Sequence, residues 1–380
     1  GKLRAFVAYD TWSTSAPMIT AREGLGAAGT QTAAIGFGGG PPDVAVTELY
    51  DGSSWTETAD LNTAGRGLAG CGTQTAALGI GRAEGPNAQQ VEKWDGSSWT
   101  EVGDLNTGRD YPAGVGTSTA ALAIGGRNPS DAPTENVELW NGTSWTEVGD
   151  LNAERMGIAA TGTTTAAIAF GGEESPITGK TETYDGSSWT EVSDLNQVRW
   201  GLSNAGIQTA ALAFGGDIPP HTATTEIYDG SSWTETTDMS NSRRFLGGDG
   251  TLQAAVGFGG DAPGDVGDTE EFNHSILTYT PAAWASGGNY GQSLKGVGGA
   301  GTQTAGLGFG GQPPTKAETY EYDGTAWTET NDLNTARYNT QGTGTQTAGL
   351  AAGGYDAPNR KDEVEEYNGS TWSEQNDLPA

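Results

Sequence analysis

The sequence predicts an all-β chain in which one four-stranded antiparallel sheet is repeated along the whole length. A tryptophan-bearing phrase recurs, as YDGSSWTETADLN at 50–62, WDGSSWTEVGDLN at 94–106, YDGSSWTEVSDLN at 184–196 and YDGSSWTETTDMS at 228–240. Its Trp falls at 12, 55, 99, 145, 189, 233, 284, 327 and 372, with successive gaps of 43 to 51 residues. A period this steady means one structural unit stacked many times. Within each period, bulky and small residues alternate with period two between Gly, Asp and Asn, which is strand patterning and not helix patterning.

Each unit reads as four pieces. The first follows an Arg and is nearly all small residues, as in RGLAGCGT (66–73). A turn-like TQT leads to the second, TAALAFGG (209–216). After a loop of varying length comes TETY (181–184), and an Asp-Gly or Asn-Gly turn then delivers SSWTEV (187–192). Gly favours such tight hairpins because it accepts positive φ without steric cost. The large residues of the second strand are Ile35 and Phe37, Leu78 and Ile80, Leu122 and Ile124, Ile168 and Phe170, Leu212 and Phe214, Val256 and Phe258, Leu307 and Phe309. Their alternating neighbours are mostly Ala or Gly, so the bulky face of one sheet can press into the small face of the next.

Four antiparallel strands in each period describe a propeller blade. Eight second strands imply eight blades in a single domain spanning 1–380, with seven blades as the alternative count. A hairpin near Tyr9 and Trp12, within residues 1–20, is left over and is expected to close the ring by pairing with the last blade. The Gly-rich first strand is expected nearest the axis, where side chains have least room. Cys71 lies in that strand, in a column with Ala28, Val115, Thr161, Ala300 and Thr343, as a small packing residue. As the only cysteine, it excludes an intrachain disulfide.

Composition narrows the function classes. Lys and Arg total 18 against 48 Asp and Glu, for a formal charge of -30. That balance disfavours nucleic acid or an anionic membrane surface as partner, since both need a basic face. No segment approaches the roughly 20 apolar residues that span a bilayer. The 12 Trp and 12 Tyr, regularly spaced, argue against low-complexity disorder despite 62 Gly.

The chain resembles the kelch repeat family. Its second strands end in Gly38-Gly39, Gly125-Gly126, Gly171-Gly172, Gly215-Gly216, Gly259-Gly260, Gly310-Gly311 and Gly353-Gly354. An aromatic ends the third strand and a Trp opens the fourth, as in Tyr50/Trp55, Tyr184/Trp189, Tyr228/Trp233 and Tyr322/Trp327. Gly81-Arg82 departs from the double Gly, and residues 273–294 lack both the Asp-Gly turn and the DLN phrase. The resemblance implies an eight-bladed kelch-like β-propeller. The combination of TQTAALAFGG with YDGSSWTEV is also similar to repeats in structural proteins of tailed, especially marine, bacteriophages. That likeness implies a non-enzymatic binding or structural module at a virion surface or outside cells. Its partners would be host-surface glycans or other virion proteins, and a homo-oligomer within a larger assembly fits the same setting. A secreted or cell-surface polysaccharide-binding adhesin is the first alternative, and a glycan-active enzyme using loop carboxylates is the second. Copper radical chemistry is disfavoured, because the chain has two histidines, His221 and His274, on separate loops.

The loops that differ between repeats, such as 126–136, 172–181, 216–225 and 260–270, fall on one face of a propeller, and variable loops on a rigid scaffold are where recognition sits. Three features belong to that face. Arginines recur at Arg22, Arg66, Arg109, Arg155, Arg199, Arg243 and Arg337, with Lys295 in the remaining unit. Such a ring could clamp an anion, with Arg109, Arg155, Arg199 and Arg337 as candidate ligands. The competing expectation pairs each Arg with a loop Asp or a third-strand Glu such as Glu48, Glu92, Glu138, Glu182 or Glu226. Aromatics follow the Arg at Tyr111, Trp200, Phe245 and Tyr338, either to stack on sugar rings or to cover the central cavity. Asp261, Asp265 and Asp268 in GGDAPGDVGDTEE (259–271) are oxygen donors for a Ca²⁺ ion, although their spacing is not that of a calcium loop.

Overall fold

The computed structural model describes residues 10–82, 88–274 and 288–378. Eight four-stranded antiparallel sheets account for all described strands, as the repeat predicts, and the fold is all-β. Blade 1 shows the pattern, with strands Gly26–Thr30, Ala33–Phe37, Thr47–Tyr50 and Trp55–Glu57 hydrogen-bonded in sequence order. In its second strand Ala34, Ile35 and Phe37 are all fully buried, one set against each neighbouring sheet. The strand ends in a double Gly because Gly38 takes a φ of 65°, and a Cβ on it would lie 2.7 Å from Gly65 O.

The chain divides into two compact units, Gly1–Thr278 and Tyr279–Ala380. The first holds six of the eight blades, and they close a ring on themselves. Backbone N–H groups donate around the axis in an unbroken cycle: Gly24 to Phe245 O, Gly67 to Gly24 O, Tyr111 to Gly67 O, Gly157 to Tyr111 O, Gly201 to Gly157 O and Phe245 to Gly201 O, at 2.7–3.1 Å. The second unit holds two blades, made from strands Gly298–Thr302, Ala305–Gly311, Lys316–Tyr322 and Trp327–Thr330, then Gln341–Thr345, Ala348–Asp356, Asn359–Tyr367 and Trp372–Glu374. These are blades 7 and 8.

Closure explains both irregularities at the repeat's margins. Blade 6 builds only three strands from its own stretch, Gly247–Gly250, Ala254–Phe258 and Thr269–Asn273, and its fourth is the N-terminal strand Thr11–Ser15. The leftover N-terminal segment therefore does close the ring, but on the sixth blade and not the last. Trp12 takes the tryptophan position there, which is why residues after 273 need no Asp-Gly turn or DLN phrase of their own. Tyr9 and Trp284 lie outside the described residues.

Three devices recur between blades. The fourth-strand Trp packs edge-on against the preceding blade's aromatic, as in Trp99 on Phe37 at 4.7 Å and Trp55 on Phe258 at 4.7 Å. Its indole N–H donates to that blade's third-strand Thr, as Trp55 to Thr269 (3.0 Å) and Trp99 to Thr47 (3.0 Å). The Gln of TQT is a clamp, not merely a turn residue. Gln31, Gln74, Gln208 and Gln346 each donate to two backbone carbonyls of the preceding blade.

Candidate functional site

The recurrent arginines are structural. Arg22, Arg109, Arg155, Arg199, Arg243 and Arg337 are 0–1% exposed and pair with third-strand Glu48, Glu138, Glu182, Glu226, Glu270 and Glu365. Burial pulls the guanidinium pKa down in Arg22, Arg109, Arg155 and Arg243, and to about 10 in Arg199, against the raising influence of the paired Glu. Each Glu also accepts backbone N–H groups of the arriving linker, for example Asn106 (2.8 Å) and Thr107 (3.3 Å) onto Glu138. The expectation of third-strand pairing therefore holds. Arg109, Arg155, Arg199 and Arg337 present no surface to a ligand, which corrects their candidacy.

Two members of the supposed ring stand one residue out of register. In blade 2, Gly65 occupies the arginine position and Arg66 follows it, half-buried and 3.7 Å from Asp43. Arg82 replaces the second Gly and reaches back through the space Gly65 leaves, bonding Glu92 at 3.1 Å and Thr63 O at 2.6 Å. In blade 7, Leu294 occupies the arginine position and Tyr320 the glutamate position, and Lys295 stands one place on.

The aromatics do gather, in the way that covers the cavity. In the axial hydrogen-bonded cycle four positions are Gly with φ of 57–66°, while Tyr111 and Phe245 hold the same conformation at 49° and 50°. Non-Gly residues there carry backbone strain of about 1–3 kcal/mol. They stand on opposite blades, 3 and 6, and their rings meet across the axis at 4.9 Å. Behind them the innermost strands enclose a channel cavity of about 210 Å³. Trp200 stands one position earlier in its blade and packs edge-on against Phe245 at 5.0 Å. Tyr338 belongs to the second unit, where its ring lies 5.9 Å from Tyr355.

Around this plug lies a charged cluster built from residues just after the lock arginine and just after the double Gly. Arg244 donates to Asp217 (3.0 Å) and Asp261 (3.2 Å), and its guanidinium stands 5.1 Å from the Phe245 centroid and 5.9 Å from that of Trp200. His221 bridges the same two carboxylates, at 3.2 Å to Asp217 and 3.3 Å to Asp261. On the other side Arg127 grips Asp110 with two hydrogen bonds of 3.0 and 2.6 Å, beside Tyr111. Those bonds push the Arg127 pKa up. Burial, with Asp261 and Asp265 nearby, pushes the Glu23 carboxyl up, and one of its oxygens is buried with no partner among the described residues. Burial and the neighbouring Asp261 likewise raise Asp265. Burial acts in the same direction on Asp261, but the Gly264 N–H and the charges of Arg244 and His221 overcome it and hold that carboxyl low.

The calcium expectation meets a different arrangement. Asp261 is engaged by Arg244 and His221, and Asp268 accepts from Asn241 at 2.8 Å. No group of three or more His, Cys, Asp or Glu among the described residues is arranged to hold a metal ion. The residues that sequence reasoning missed are Glu23, Asp110, Arg127, Asp217, His221 and Arg244. Their signal was positional: all but the loop residue His221 occupy places next to a recurrent element, where the repeats differ in charge.

No protein-family model matches the chain, and no curated protein matches it. Among solved structures it is similar to YjhT, with a TM-score of 0.57 at 10% identity, over 68% of this chain and 99% of that one. At that identity the likeness shows the fold alone, and with the eight sheets it supports a kelch-like β-propeller.

Proposed function

We propose that the six-blade unit is a non-catalytic recognition module that binds a glycan at the mouth plugged by Tyr111 and Phe245. The observation that carries this reading is the fixed cluster of Trp200, Arg244, Phe245, Asp217, His221 and Asp261 on the variable-loop face. Carboxylates pinned by a guanidinium and an imidazole are pre-oriented acceptors for sugar hydroxyls, and a half-buried indole offers a stacking face. The acidic balance of the chain favours neutral over strongly anionic glycans. A virion-surface setting rests on the likeness of the repeat phrases to tailed-phage structural repeats, and mass spectrometry of purified particles tests it.

A glycan array tests the binding claim. The wild type should retain a neutral oligosaccharide, and Trp200→Ala or Asp217→Asn should weaken that binding at least about tenfold, the loss of one well-made contact. Retention of no glycan at all would reject the reading. A second reading, a glycan-active enzyme, draws on Glu23, whose raised pKa suits a general acid. Turnover of the retained glycan, abolished in Glu23→Gln, would favour it.

A further inference from the structure

We infer that the two-blade unit assembles with two further copies of itself, so that three such units close one six-blade ring. The starting point is the step between blades. In the first unit six steps complete a circle, and the single step inside the second unit repeats the same contacts. Trp372 donates to Thr319 (3.0 Å) and packs on Phe309 (5.0 Å), Gln346 donates to Gly306 O (3.2 Å) and Tyr322 O (2.8 Å), and Asn339 N–H donates to Gly296 O (2.7 Å). Two blades at that step span one third of a ring.

The two free faces complement each other. Where the ring of the first unit closes, Tyr50 of blade 1 donates to Glu271 of blade 6 (2.5 Å), and between blades 7 and 8 Tyr367 donates to Glu321 (2.8 Å). Among the described residues, the outer face of blade 7 presents the matching tyrosine, Tyr322, whose hydroxyl donates to Gly324 O (3.0 Å) in the single chain and would turn to the new partner. The outer face of blade 8 presents the matching glutamate, Glu366, which is exposed. Gln303 of blade 7 stands exposed in the clamp position, while Gly349 O and Tyr367 O of blade 8 are the matching acceptors.

The strongest fit is steric. Each of the first seven blades fills the slot before the next blade's Trp with one large residue, Phe37, Ile80, Ile124, Phe170, Phe214, Phe258 or Phe309. Blade 8 has Ala352 there. On blade 7 the slot is already filled from its own side, by Tyr290, whose ring packs on Trp327 at 5.0 Å. It comes as near to the Cβ site of Gly308 (2.7 Å) as Phe258 does to that of Gly36 (2.9 Å). A hole on one face thus meets a knob on the other. Val364, where five blades offer Thr, has precedents in Val91 and Val137 of the first unit, where Trp189 packs with Val137 and its indole N–H has no acceptor among the described residues.

Such a head-to-tail contact closes instead of growing into a filament, because three steps of one third return to the start. Light scattering and native mass spectrometry of the chain at micromolar concentration should give three times the 39.0 kDa chain mass. Ala352→Trp, which overfills the slot, and Glu366→Lys, an exposed change that spares the fold, should each return the particle to single-chain mass with an unchanged circular dichroism spectrum. A wild type of one-chain or two-chain mass would overturn the inference, as would a three-chain particle that survives both substitutions.

Discussion

Blade 7 and the six blades of the closed ring share a sequence pattern but differ at one buried pair. Every ring blade carries a guanidinium and a third-strand carboxylate, even blade 2, which reaches it through the Gly65 and Arg82 exchange. Blade 7 carries Leu294 and Tyr320. The carboxylate of each ring blade receives the backbone of a linker arriving from the blade before it, including Ile19 and Thr20 arriving from the N-terminal strand onto Glu48. Blade 7 is the first blade of its unit and has no such linker from a preceding blade among the described residues. The ion pair is therefore kept where a chain must be received, and its role is to satisfy linker N–H groups as much as to join two charges.

That comparison can be broken most directly in blade 5. Glu226→Ala leaves the Arg199 charge buried and strips the Asn196 and Gln197 N–H groups of their acceptor. Breaking one side of a buried pair costs about 3–5 kcal/mol, and urea unfolding of the six-blade unit should show a loss of that size. The double change Arg199→Leu with Glu226→Tyr copies blade 7. It should recover the part due to the stranded charge but not the part due to the linker. Full recovery would mean that the carboxylate serves only the arginine.

How much of this was legible follows the same division. The blades, their order and the Arg–Glu pairing were readable because packing and hydrogen bonding impose the same residues in each period, and eight copies make the pattern loud. That the N-terminal segment closes a ring was readable, but which blade it completes was not. It depends on Trp12 finding Phe214 and Thr225, more than 200 residues away, and a closing strand carries the same phrase as any other fourth strand. The register of Arg66 and Lys295 was misjudged because a positive charge one place along looks equivalent until the backbone assigns each residue a side. The charged rim of the mouth was hidden for the opposite reason: Asp217, His221 and Arg244 belong to positions that vary from blade to blade in charge and size, so repetition cannot amplify them.

The ring seam offers the next test. Asp249 of blade 6 stands where other blades have Ala28, Cys71, Val115, Thr161 and Ala205. It borders the channel and accepts from Gly29 N–H of blade 1 at 2.8 Å and from Gly250 N–H at 2.6 Å. Burial pushes its pKa up to about 7, with the two N–H groups opposing. An unfolded Asp titrates near about 3.9, so the folded state holds the proton more tightly and is favoured at low pH. Stability should fall as pH rises from about 4 to about 7, by a few kcal/mol at most, because each pH step of one across that window changes it by no more than about 1.4 kcal/mol. Asp249→Asn should flatten that window, and a slope unchanged in the variant would place the titration elsewhere.

The glutamine clamps allow a finer comparison of the two units. Gln208→Ala removes two hydrogen bonds to Ala167 O and Tyr184 O and should cost about 1–3 kcal/mol, at about 0.5–1.5 for each bond. Gln303→Ala removes no side-chain hydrogen bond found among the described residues and should leave the melting of a single chain unchanged, while making the three-chain particle dissociate at lower dilution. If both substitutions destabilise an isolated chain equally, blade 7 has a neighbour within the chain after all.

The smallest effect lies at the hairpin turns, and it has the opposite sign to Asp249. Asp51, Asp95, Asp185 and Asp323 open the Asp-Gly turns, and each accepts from the backbone N–H groups two and three residues on. Those bonds, with the Ser or Thr hydroxyl, hold their pKa at about 2 although the carboxylates are fully exposed. The folded state here prefers the ionised form. The contribution is present above the unfolded value of about 3.9 and is lost as pH falls towards about 2. Carboxyl-detected NMR titration should find these residues still ionised at about pH 3 in both units alike, because the turn is local and does not depend on a closed ring. A difference between Asp185 in the ring and Asp323 in the two-blade unit would show that closure tightens even the outermost hairpin.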